Sequence, residues 1–276
     1  MEAFNAIGEA IHAMSEDSRL WRYPLMGSAV AAVMLAIAGV GSGANLVNNH
    51  PNIPLVVIIT IVLLVILIKV SLVYYPAKAF QYRTTETEFS ETRLALRSIP
   101  KGIITVLLSM GYGIVLGLLV LVLAIPFIVF YYIMKGLFGP VGSVIGVIAA
   151  LPLVSWGTGV AAIMVPAYIL SEDPGEGFSV VGTAFNLKKE FMAFGGILLL
   201  ITIAVILAAA GVEEILSWTF KGLLGALVVG SVDGAVTGVV SALSSIAGAA
   251  MYRRLSSGPV KMGEEVSIDP DWLASL

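Results

Sequence analysis

The sequence predicts an all-α protein, a polytopic membrane helical bundle of about six transmembrane helices in three helix-plus-hairpin units with amphipathic interfacial helices. Three observations carry this. Of 276 residues, 58% are hydrophobic and 12% charged, with a mean hydropathy of +0.99, far from the averages of soluble domains. The apolar residues gather into six runs, each long enough for the roughly 20 residues that one hydrocarbon crossing needs. The basic residues collect on alternate connections, as the positive-inside rule requires of a multi-pass chain.

The chain opens with residues 1–23, where Glu2, Glu9, Glu16 and Asp17 face only Arg19 and Arg22. That is not the basic start of a secretory signal, so the first apolar run is read as a retained span. The runs are 24–47, 53–75, 103–134, 141–170, 191–212 and 223–252. Several exceed 20 residues, so tilt or kinks are expected. Pro126, Pro152 and Pro166 are the expected kink points, because proline removes a helix hydrogen bond and crowds the preceding turn.

Counting basic residues by connection gives the orientation. Arg19 and Arg22 precede the first span; Lys78, Arg83, Arg93, Arg97 and Lys101 follow the second; Lys188 and Lys189 follow the fourth; Arg253, Arg254 and Lys261 follow the sixth. These are twelve of the fifteen. The opposite connections hold Lys135 and Lys221, and Lys69 lies within the second run. A multi-pass protein of the cell membrane with N- and C-termini in the cytoplasm is therefore expected.

The connections on the basic side repeat a pattern. Phe4 with Ala10, Phe89 with Ala95 and Phe178 with Ala184 share one spacing, each ahead of an odd-numbered span. Tyr75-Pro76-Ala77 and Val165-Pro166-Ala167 precede the two later copies. A single integral membrane domain over 1–276 is expected, with possible repeats at 1–77, 86–167 and 175–252 and a cytoplasmic tail at 253–276; chance likeness between apolar segments is the competing reading. Each repeat would begin with a short amphipathic helix, its apolar face made by Phe4, Ile7, Ile11 and Met14, by Phe89, Leu96 and Ile99, or by Phe178, Val181, Phe185 and Met192. Thr85-x-x-Glu88 has capping-box spacing, and Asp173-Pro174-x-Glu176 offers an N-cap, a proline at N1 and a first-turn acid. Such helices suit either the membrane interface or packing on one another at the end of the bundle.

Two stretches carry a family likeness. Leu20-Trp21-Arg22-Tyr23-Pro24-Leu25, at the entry to the first span, and the series Val165-Pro166, Glu172, Gly177, Ala184 and Phe194 resemble the signatures of a broad group of uncharacterised archaeal and bacterial six-span proteins. That group is related to the membrane domain attached to some glycerophosphodiester phosphodiesterases. The resemblance implies a six-helix bundle with amphipathic connecting helices and no established activity. The 276 residues hold no phosphodiesterase domain, so that chemistry is not implied.

Chemistry-bearing residues are sparse. The sequence has no cysteine, which removes disulfides, thiolate metal sites and a cysteine nucleophile. No HExxH, Walker A or GxSxG pattern appears. His12 and His50 fall on opposite sides of the expected membrane and read as surface residues. No catalytic residue, cofactor or metal site is expected, and no basic cluster with patterned aromatics suggests nucleic acid.

Asp233 is the sharpest candidate, because a carboxylate within an apolar run is costly and by default functional. Thr237, Ser241 and Ser244 continue from it at helical spacing as a polar seam. The seam would line a solute path or proton relay, or else hydrogen-bond a neighbouring helix. Gly230, Gly234, Gly238 and Ala242, continued by Ser245 and Ala249, form a small-residue stripe suited to close helix packing. The pairs Gly39/Gly43, Gly113/Gly117 and Gly142/Gly146 repeat that spacing. Lys69 is expected to snorkel toward the cytoplasmic interface, too far in depth from Asp233 to pair with it. Glu213 and Glu214 are expected in water at the outer end of the fifth span, with a cation site as the alternative. The leading expectation is a non-enzymatic scaffold or accessory subunit, partnered by membrane lipids and by other membrane subunits or copies of itself. The alternative is a small-solute or lipid transporter using the seam.

Overall fold

A computed structural model describes residues 2–37 and 55–256. His50, the Gly39/Gly43 pair, the distal part of the first apolar run and residues 257–276 lie outside the described residues. The elements are α1 (Glu2–Glu16), α2 (Arg19–Ile37), α3 (Leu55–Thr84), α4 (Glu91–Ser171), α5 (Pro174–Asn186), α6 (Lys188–Thr219) and α7 (Gly222–Ser256), with no strand among the described residues. Five of these helices are long and apolar enough to cross a membrane.

The longest, α4, is two helices in one. Its backbone leaves helical geometry only at Gly139 (φ 59°, ψ −133°), just before Pro140. An L side chain rarely adopts that conformation, so glycine is what permits the reversal. The limbs 91–138 and 140–171 then run antiparallel: a β-carbon on Gly142 would strike the Met134 carbonyl, and one on Gly146 would come 2.8 Å from the Tyr131 ring. Six apolar limbs result, with the third and fourth joined at the expected place. Pro126, Pro152 and Pro166 do not break the helix; the sharp reversal belongs to Gly139.

An even number of limbs brings α1 and the end of α7 to the same side of the bundle. Arg254 near the end of α7 donates to Glu9 at 2.9 Å and to Glu2 at 3.2 Å on α1. On the same end, Glu172 accepts from Lys78 at 3.1 Å and Lys101 at 2.8 Å, and Arg83 pairs with Glu16. This basic end is thus stitched by ion pairs between elements far apart in sequence.

The short helices pack through small residues together with part of the expected apolar faces. Helix α1 buries Ala3, Ala6, Ile7, Ala10 and Ala13 and packs on α7, while Phe4 and Ile11 remain 68% and 50% exposed. Helix α5 buries Gly177, Val180 and Ala184 and leaves Phe178 and Phe185 partly outside. Small residues carry both contacts because they let helices approach closely. The Asp173 cap is made, its carboxylate accepting from Gly175 N at 2.8 Å with Pro174 behind it. Tyr112 then donates to the Pro174 carbonyl at 2.9 Å and Trp156 to that of Ala184 at 3.2 Å, fixing α5 to both limbs of α4. The middle copy is different. Thr85 and Glu88 lie before α4 rather than capping it, Ser90 takes the N-cap position, and the helix from Glu91 runs without a break into the span.

Candidate functional site

Helix α7 presents two adjacent faces. The small-residue stripe faces α2: a β-carbon on Gly234 would come 2.5 Å from the Ser28 carbonyl and 2.8 Å from Ala32 Cβ, and one on Gly238 would strike the Pro24 carbonyl. Ala242 is fully buried. Gly230 is looser, with its nearest neighbour 3.9 Å away. The stripe is therefore used inside this chain. Gly142 and Gly146 are used in the α4 reversal, whereas Gly113 and Gly117 meet nothing within 4 Å.

The polar seam lies beside the stripe. Asp233, Thr237 and Ser241 are exposed, one helical turn apart, because α2 occupies the stripe and leaves this face uncovered. Two cavities follow it. The first, about 730 Å³, lies between α2, α3, α6 and α7, and its lining includes Lys69, Glu213, Ser217, Asp233 and Thr237, with Leu35, Phe220 and Val229 as apolar wall. The second, about 370 Å³, lies toward the basic end between α2, α3, the second limb of α4 and α7, and is lined by Lys69, Thr237, Ser241, Ser244 and Ser245. Lys69 and Thr237 line both. All four seam residues are thus brought to one continuous lining.

Helix register explains how Lys69 reaches it. Gly27 of α2 lies against Ile68 and Leu72 of α3, a β-carbon there falling 3.3 and 3.4 Å from their side chains, while Ser28 and Ala32 of α2 face Gly234 of α7. Lys69 and Asp233 therefore stand within about one helical turn of each other along the bundle, roughly 5 Å. The expected separation in depth is corrected. It came from counting inward from the ends of apolar runs, but the last turns of α7, with Ile246 to Met251, pack beside α1. That places Asp233 deeper in the bundle than its run suggests.

The lining holds charges of both signs, Lys69 and Lys221 with Glu213 and Asp233, and no ion pair joins them among the described residues. Lys69 is half-buried and makes no hydrogen bond or ion pair among the described residues. Asp233 has Glu213 as its electrostatic neighbour, a like charge. Glu213 and Glu214 do not behave alike, since Glu213 turns into the cavity and Glu214 is exposed away from it. Two cations, Lys69 and Lys221, and two carboxylates, Glu213 and Asp233, share this lining, which can hold a polar or ionic ligand by charge-assisted hydrogen bonds, with the Thr and Ser hydroxyls as neutral donors and acceptors. No group of three or more His, Asp or Glu suited to a metal occurs among the described residues. His12 instead pairs with Glu16 at 3.1 Å on exposed α1.

Sequence reasoning found Asp233, Thr237, Ser241 and Ser244 but missed Lys69 and Glu213 as their companions. The signal was present, since each is an ionisable side chain set in an apolar helix; what was lacking was the register between helices. No family model, curated protein or solved structure matches the chain.

Proposed function

We propose that this chain is a multi-pass membrane transporter that moves a small solute or a lipid headgroup along the polar seam of α7. One observation carries the reading: the seam lines two cavities that meet at Lys69 and Thr237. A seam used only to hydrogen-bond a neighbouring helix would be buried against it, whereas α2 takes the glycine face and the seam stays open. The glycine stripe, the main sequence argument for a scaffold, is already satisfied by α2 within the chain.

In this reading the cell membrane surrounds the six limbs and the basic end faces the cytoplasm, as the distribution of Lys and Arg requires. The 730 Å³ cavity lies toward the opposite side and the 370 Å³ cavity toward the cytoplasm, with Lys69 and Thr237 lining both. The absence of native cysteine makes the test direct. Thr237→Cys and Ser241→Cys should react with a charged methanethiosulfonate in sealed vesicles, while Leu118→Cys, on the exposed apolar face of α4, should stay inert. Seam cysteines as unreactive as Leu118→Cys would sink the transport reading. For orientation, Gly136→Cys and Thr87→Cys should label from opposite sides.

A second reading is favoured by one feature. Gly113 and Gly117 face outward among exposed Met110, Ile114 and Leu118, a small-residue face available to another copy or another membrane subunit. Crosslinking of Gly117→Cys between copies in native membranes supports assembly through this face, and its failure under conditions that oxidise a control pair removes that support.

A further inference from the structure

Resting on the transport reading, we infer that the waist between the two cavities is a binding site for a zwitterion, a molecule carrying a primary ammonium and an anionic oxygen group on an apolar body. Among the described residues the lining offers unpaired charges of both signs, Lys69 and Lys221 with Asp233 and Glu213. Lys69 makes no hydrogen bond or ion pair among the described residues, and Asp233 lies within electrostatic reach of Glu213. At membrane depth, as the transport reading sets it, each uncompensated charge is expensive. A simple anion would answer Lys69 and add to the repulsion at the carboxylates. A simple cation would answer Asp233 and leave Lys69 alone. A zwitterion answers both and leaves the net charge of the site unchanged.

Geometry agrees with the chemistry. Lys69 and Asp233 line the same cavity at heights within about one helical turn of each other along the bundle, so that one ligand in that cavity can meet both. The ammonium would donate to the Asp233 carboxylate and the Thr237 hydroxyl, with Glu213 above adding to the negative potential. The anionic oxygens would accept from Lys69 Nζ. Leu35, Phe220 and Val229 provide the wall for an apolar body. Below the waist the lining changes to Ser241, Ser244 and Ser245, hydroxyls that serve both halves of a zwitterion as it moves on. Both cavities lie in the size range of small-molecule sites.

Two sources share this chemistry, a free apolar amino acid and the headgroup of an aminophospholipid. Purified wild-type protein in phosphatidylcholine nanodiscs is titrated, with thermal unfolding as the readout, against leucine and its two single-charge counterparts, isopentylamine and 4-methylpentanoate. The same protein is compared in nanodiscs containing phosphatidylethanolamine or phosphatidylglycerol. Stabilisation by leucine at concentrations about tenfold lower than either counterpart needs supports the site and identifies a free amino acid. Stabilisation by phosphatidylethanolamine and not by phosphatidylglycerol, with leucine inert, supports it with the headgroup as source.

In either case Lys69→Met and Asp233→Asn should each weaken the effect by about tenfold to a hundredfold, the loss expected of one charge-assisted hydrogen bond, while Lys69→Arg retains most of it. Equal stabilisation by leucine and a single-charge counterpart overturns the proposal, as does no effect of leucine or phosphatidylethanolamine. Because both overturning results are read on the wild-type chain, a variant that fails to fold does not rescue it. If Thr237→Cys still reacts with the charged reagent when this selectivity fails, only the zwitterion assignment falls and the open seam stands.

Discussion

Replacing Gly234 by alanine should separate α7 from α2 and destabilise the protein, while the same change at Gly230 should not. At Gly234 the new methyl would lie 2.5 Å from the Ser28 carbonyl, about 1 Å short of the 3.4 Å at which ordinary contact begins. Its other neighbours, Ala32 Cβ at 2.8 Å and Ala29 Cα at 2.9 Å, are backbone or bound directly to it. No flexible side chain can yield, so the helices must move apart. Overpacking of this kind costs about 1–3 kcal/mol, more than the roughly 0.5–1 kcal/mol gained by exchanging glycine for alanine inside a helix. At Gly230 the nearest atom is 3.9 Å away, leaving only the helix-propensity gain. Thermal unfolding in detergent should place Gly234→Ala below wild type and Gly230→Ala at or above it. Equal melting temperatures for the two variants would refute the α2–α7 packing, and with it the geometry that leaves the seam uncovered. Gly234→Ala should also weaken any ligand stabilisation, since its backbone carries Asp233.

Gly139→Ala should destabilise the α4 hairpin by about 1–3 kcal/mol, because an L residue is strained at φ 59°, ψ −133°; denaturation that matches wild type would mean the reversal lies elsewhere. Hydrogen bonds from Lys101 and Lys78 hold the Glu172 carboxyl below its ordinary value of 4.5. A depressed folded value means stability that is fully present above 4.5 and lost as pH falls through the folded value. The melting-temperature gap between wild type and Glu172→Gln should therefore be present at neutral pH and close on acidification below 4.5. Glu172 is more than half exposed, so solvent screening keeps the gap below about 1 kcal/mol; a gap that widens toward acid would contradict the sign.

Much of the architecture was legible from local signals. The apolar runs, the alternation of basic connections and the Asp173-Pro174 start signal each act within a few residues, and each has its counterpart in the helices observed. The α4 reversal was legible as a gap between two runs, although the residue that makes it is Gly139 and not a proline. Two of the three short helices were legible as separate elements; Ile7, Met14, Val181 and Met192 of the expected apolar faces pack on the core, while Phe4 and Ile11 stay exposed. The alanines of α1 and Gly177 and Ala184 of α5 are buried with them, because a close helix contact selects alanine and glycine.

The seam shows the same division. Its four residues could be read along α7, since i to i+4 spacing places them on one face whatever surrounds the helix. Whether that face is buried or open depends on where α2 lies, and Lys69 joins it only because α3 is set against α2 at Gly27. Composition and periodicity thus determined an all-α bundle with helices able to cross a membrane, because hydrophobic length and charge placement are properties of single segments. Tertiary structure alone decided which charges share a cavity, because register between helices is set by contacts between residues distant in sequence, here glycines meeting backbone carbonyls.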